Sequence, residues 1–170
     1  MVAEPAADAD LRAMAAQLGR PVRGVVAVAH RCPCGDPDVV TTQPRLDDGS
    51  PFPTVFYLTC PRAAAAIGTL EAGGTMRQMQ ARLQGDADLA AAYHDAHLDY
   101  LARRAGIGTV PEIEGVSAGG MPDRVKCLHV LAAHALAAGP GVNPLGDEVV
   151  AAITPWWERS SCHQSAPEAD

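Results

Sequence analysis

Lysine is almost absent from this chain. Of its 13 lysines and arginines, twelve are arginine, and Lys126 alone is lysine. Aromatic residues make up only 4%, so the core must be built from aliphatic side chains and alanine, with the few rings as anchors. Positive charge is also short: the formal net charge is −7 and the pI about 5.2. That balance argues against broad binding to nucleic acid or to anionic membranes, although a local basic pocket is compatible with it. No apolar run approaches the ~18 residues of a membrane span, so none is expected. The N-terminal stretch M-V-A-E-P-A-A-D-A-D is acidic and lacks a signal-peptide pattern. A cytoplasmic protein with reduced thiols is therefore expected. Walker and dinucleotide fingerprints, the C-x-x-C knuckle, a local Ser-His-Asp signature and internal repeats are all missing.

What remains is globular in composition, with 48% hydrophobic and 19% charged residues in 170. One domain over 8–157 is expected, flanked by disordered tails at 1–7 and 159–170. Asp8 or Asp10 can cap a first helix ending near Leu18 and closed by Gly19 and Pro21. The β-branched run V-R-G-V-V-A-V-A-H at 22–30 predicts a strand, 39–43 a second and T-V-F-Y-L-T-C at 54–60 a third. After Pro61 the pattern turns helical: 61–72, about 75–84, about 86–104, then 122–138 and 147–157. Strands followed by helices make an α+β class, a three-stranded antiparallel sheet covered on one face by about five helices.

The segment S-A-G-G-M-P-D-R-V-K-C-L-H-V-L-A-A-H-A-L-A-A-G-P-G at 117–141 concentrates ionisable residues. Pro122 suits a first helical position, Asp123 the positive end of a helix dipole, and Gly139-Pro140 a stop. A glycine-rich turn before a helix can aim N–H groups at an anion. Gly119, Gly120, Arg124, Lys126 and Arg45 are thus candidates for binding a phosphorylated small molecule or polyphosphate. A plain turn, with a solvated Lys126, accounts for the same residues.

Cysteines suggest a different chemistry. Cys32 and Cys34 share a Pro- and Gly-rich turn, Cys60 ends a strand and Cys127 falls in the 122–138 helix. Such elements can converge on a tetrahedral zinc. The expected ligands are Cys32, Cys60 and Cys127, completed by Cys34 or His30, while Cys162 sits in the tail and is left aside. Buried, inert thiols are the alternative. Cys127 beside Arg124 and Lys126 also has the surroundings of a nucleophile, with His129 at a different angle on the helix. His94 and His97 stand at a chelating i, i+3 spacing but equally suit a solvated stripe.

Three blocks, R-C-P-C-G-D-P at 31–37, P-R-L-D-D-G-S-P-F-P-T-V-F-Y-L-T-C-P at 44–61 and S-A-G-G-M-P-D-R-V-K-C-L-H at 117–129, together with A-A-G-P-G-V-N-P-L-G-D at 137–147, resemble a bacterial family described as domain of unknown function 501. The resemblance spans roughly residues 10–157. It implies an intracellular, actinobacterial-type protein. Family genes lie near cell-division and exopolyphosphatase genes, which implies phosphate or envelope biology. It transfers no activity and no catalytic residue. Three expectations follow: a small zinc-binding module, an enzyme or sensor for a phosphorylated small molecule, or an interaction module linked to cell division.

Overall fold

A computed structural model describes residues 4–158 and Cys162. The class is α+β. The elements are β1 (Glu4–Pro5), α1 (Asp8–Leu18), β2 (Val25–Arg31), β3 (Pro37–Thr42), β4 (Phe56–Leu58), α2 (Pro61–Ala72), α3 (Thr75–Gly85), α4 (Ala87–Ala105), a 3-10 turn (Pro111–Ile113), α5 (Leu128–Ala138) and α6 (Pro144–Ile153).

The sheet is antiparallel, in the order β1-β2-β3-β4. Among the described residues it has four strands rather than the expected three, and the α-helices number six rather than about five. The added strand comes from the segment read as a frayed arm. Glu4 and Pro5 pair with Val28 and Ala27. The arm is held by charge: the Arg31 guanidinium donates to both Glu4 carboxylate oxygens and to both of Asp10. Hydrophobic periodicity carries no trace of such a two-residue strand. Residues 1–3 and most of 159–170 lie outside the described residues.

Helices cover both faces of the sheet, not one. Every residue of β3 is buried, and alternate side chains of a strand point to opposite faces. Val39 belongs to the main core with Leu128, Leu131 and Tyr100, whereas buried Val40, Ala27, Val28 and Met14 fall outside it. Met14 comes from α1, which packs on β3 and bonds Pro37 O through Gln17 Nε2 at 2.9 Å. The main layer is α5 with α6, joined by α2, α3 and α4.

The expected helix over 122–138 begins six residues later, at Leu128. Residues 117–127 form a hydrogen-bonded loop instead. Gly119 and Gly120 both have left-handed φ, +72° and +97°. Their carbonyls accept from Lys126 N–H (2.8 Å) and Arg124 N–H (2.9 Å). The loop is pinned from outside by Gln80, which accepts from Val125 N–H and donates to Asp123 O. Tyr93 O–H donates to Arg124 O at 3.0 Å. These tertiary bonds satisfy the loop backbone where a helix would have satisfied it internally. The last helix starts at Pro144, capped by the Asn143 side chain, and ends before Pro155 rather than running through it.

Candidate functional site

The turn after β2 positions two thiols. Cys32 N–H donates to Asp36 O at 2.9 Å, and Gly35 N–H to Cys32 O at 2.8 Å. Gly35 takes φ +97°, a conformation that suits glycine. The closed turn folds Cys34 back beside Cys32, and its Sγ donates to Asp36 Oδ2 at 3.6 Å. Cys60 is the N-cap of α2 and is fully buried.

The third partner is Cys162. Its Sγ lies 3.5 Å from that of Cys32, 130 residues away in the chain. The Sγ atoms of Cys32, Cys34 and Cys162 all fall within 4.8 Å of one another. Cys60 interacts with Cys162 as well, and Cys32, Cys60 and Cys162 share the main core. Four thiols from a turn, a helix start and the C-terminal segment therefore converge. Burial pushes the Cys32 thiol up to about 11. Burial raises Cys162 too, reinforced by Cys34, Cys60 and Cys32. Thiols so placed resist ionisation unless a cation joins them.

Two expected ligands are elsewhere. Cys127 is the N-cap of α5, not a residue inside a helix, and its Sγ clusters with Glu71 and His129. His30 turns its Nδ1 to the buried Asp38 at 2.7 Å. It lines a cavity of about 250 Å³ with Leu136, Asp147 and Val150. Cys162, expected in the tail, lies in the cluster instead. The signal available in sequence was the apolar pair Trp156-Trp157, which docks the chain just before it: Trp156 is buried, and Trp157 packs against the core.

Of the expected anion-binding residues, Gly119, Gly120, Arg124 and Lys126 share one loop, while Arg45 is engaged on another. Arg45 donates to Gly49 O and to Glu112 Oε2 at 2.6 Å. Arg124 and Lys126 have exposed side chains, and Gly119 and Gly120 close the loop described above. The His94–His97 pair is not a chelate either. His97 is buried and its Nδ1 donates to Ser117 Oγ at 2.8 Å, which in turn donates to Met121 O.

A polar network missed from sequence runs through the core. His134 is fully buried. Its Nε2 donates to Asp99 Oδ2 at 2.9 Å, and its Nδ1 accepts from Asn143 Nδ2 at 3.2 Å. Asn143 is oriented independently, because its Oδ1 accepts from Gly146 N–H at 2.9 Å. That fixes the neutral tautomer of His134. The ring stacks on Phe56, with centroids 5.7 Å apart, and meets the edge of Tyr100. Every polar atom of the imidazole is satisfied, so the group holds α4, α5 and α6 together and offers no open valence.

Among the described residues no helix is long and apolar enough to cross a membrane. Neither the curated proteins nor the solved structures include a match to this chain. Residues 28–151 match the family described as protein of unknown function (DUF501), and the chain belongs to that family.

Proposed function

We propose that this protein is a small zinc-binding module whose ligands are Cys32, Cys34, Cys60 and Cys162. The supporting observation is the gathering of Cys32, Cys34 and Cys162 within 4.8 Å, with Cys60 beside them. Four sulfurs at about 2.3 Å from a tetrahedral zinc stand about 3.8 Å apart. The 3.5 Å between Cys32 and Cys162 is close to that spacing. The donor set is all sulfur, which suits a closed structural site rather than a catalytic one with an open position. Zinc would hold the four sulfurs as thiolates around one ion, and would tie Cys162 to the turn after β2. Cys32, Cys34 and Cys60 lie in the matched stretch 28–151, and Cys162 lies beyond it.

Metal analysis of tag-free protein tests the reading. Wild type and Cys127→Ser are expected to carry about one zinc per chain, and Cys32→Ser far less. Substoichiometric zinc in wild type would defeat the proposal. So would a non-reduced intact mass showing a disulfide in place of the metal.

A further inference from the structure

Glu71, Cys127 and His129 bring one atom each within 4.8 Å of one another, apart from the four-cysteine cluster. The arrangement starts from the N-terminus of α5. Cys127 is its N-cap, where the helix dipole favours negative charge. Glu71, near the end of α2, reaches across to accept from Leu128 N–H at 2.8 Å.

The same carboxylate oxygen faces His129 Nδ1 at 3.3 Å, and Ala64 O faces His129 Nε2 at 3.1 Å. Both ring nitrogens therefore face acceptors. An imidazole satisfies two acceptors only when both nitrogens carry protons. Geometry thus favours the imidazolium, and an imidazolium beside Cys127 favours the thiolate. Charge effects agree. The sulfur partner, with Glu71 and Ala64 O, raises His129 to about 9 against its burial. Burial and the Glu71 carboxylate push the Cys127 thiol up, but His129 and the Val130 N–H outweigh them, and the net direction is down. The site is reachable: Cys127 is half-buried, and the His129 side chain is 32% exposed. Binding of a metal by this trio would require His129 to give up one of its two acceptors.

We propose that Cys127 and His129 form a thiolate–imidazolium pair that reacts with low-molecular-weight disulfides, making Cys127 a thiol-modification site. The Cys127 sulfur attacks one sulfur of the disulfide. A new S–S bond forms to Cys127 and the old S–S bond breaks. The departing sulfur takes the proton of His129, leaving a neutral imidazole and a free small thiol. Cys127 is oxidised to the disulfide level and the departing sulfur is reduced. Glu71 orients the ring.

The test uses 2-hydroxyethyl disulfide on the full chain, with each cysteine read by peptide mass spectrometry across pH. An ordinary thiol is only a few per cent ionised at pH 7. A largely ionised one gains from that fraction but loses part of the gain to weaker nucleophilicity, so about a fivefold or greater excess is expected over Cys127 in the urea-unfolded chain. The wild-type rate should also level off below the pH of an ordinary thiol. His129→Gln should remove the excess and restore the ordinary profile, with an unchanged melting temperature as the control for folding. If that variant does not fold, the wild-type profile decides alone. A folded Cys127 no faster at pH 7 than the unfolded one would overturn the proposal, as would equal rates in wild type and folded His129→Gln.

Discussion

Gly146→Ala is expected to lower stability by about 2–3 kcal/mol, although alanine is the better helix former. Gly146 lies in α6 where that helix crosses α5. A Cβ there would overlap the Leu131 carbonyl oxygen and crowd the Ala135 Cβ. The obstacle is helix backbone, which cannot rotate away as a side chain can. Relief requires α6 to move off α5, and that movement pulls Gly146 N–H from Asn143 and Asn143 from His134. Overpacking costs ~1–3 kcal/mol and sometimes more, against a helix-propensity gain of about 1 kcal/mol. Gly68→Ala is the control. It sits inside α2 with no heavy atom near the added methyl, and should stabilise by about 0.5–1 kcal/mol. Urea midpoints of the two variants should move in opposite directions. A Gly146→Ala protein as stable as wild type would mean that α5 and α6 are not packed this closely.

His134→Ala is expected to cost about 3–5 kcal/mol, comparable to deleting a buried aromatic ring. The ring fills space between Phe56 and Tyr100. Its loss also leaves Asn143 Nδ2 with only the weak Met121 sulfur acceptor and removes one Asp99 contact, a further desolvation cost. The same group predicts a pH dependence. Burial holds His134 below the ordinary histidine value, although Asp99 pulls the other way. Burial lowers His97 as well, with His94 adding to it. In the unfolded chain these histidines take up protons near pH ~6.5. The unfolded state then binds more protons than the folded one, so stability falls as the pH drops through that value. Their contribution is complete above about 6.5 and is lost progressively below it.

His129 has the opposite sign, since it is raised to about 9. The unfolded chain takes up this proton near pH ~6.5 as well, so between pH 7 and 5 His129 taken alone would oppose the fall. Its extra folded-state proton is matched, however, by the one missing from Cys127, which is lowered, and the two offset. Stability measured from pH 7 to 5 should therefore fall, and His134→Gln should flatten the curve. An unchanged slope in that variant would remove His134 as the source.

The parts of this fold legible in the sequence were those set by local pattern. β-branched runs marked β2 to β4, and helical spacing after Pro61 marked α2 to α4. What was not legible depends on partners distant in sequence. The Pro122-Asp123 start signal is genuine locally, yet Gln80 and Tyr93 hold that stretch as a loop, so α5 begins at Leu128. β1 is made by Arg31 and its two carboxylate partners, not by apolar alternation. For the cysteines, the turn pair was readable from spacing, and Cys60 from its place at a strand end. Exchanging Cys127 for Cys162 required knowing that the chain after α6 returns to the sheet. The His134 network was hidden for the same reason. A histidine on an apolar helix face reveals neither Asp99 nor Asn143 until α4 and α6 are packed against it.

On the proposed reading, four sulfurs from a turn, a helix start and the C-terminal segment bind one zinc. X-ray absorption at the zinc edge of the purified full chain tests it most directly. Wild type should show a single shell of four sulfurs at about 2.3 Å, and Cys162→Ser a shell with one sulfur replaced by a lighter atom at about 2.0 Å. A wild-type shell made of nitrogen and oxygen, or a four-sulfur shell that survives Cys162→Ser unchanged, would contradict it.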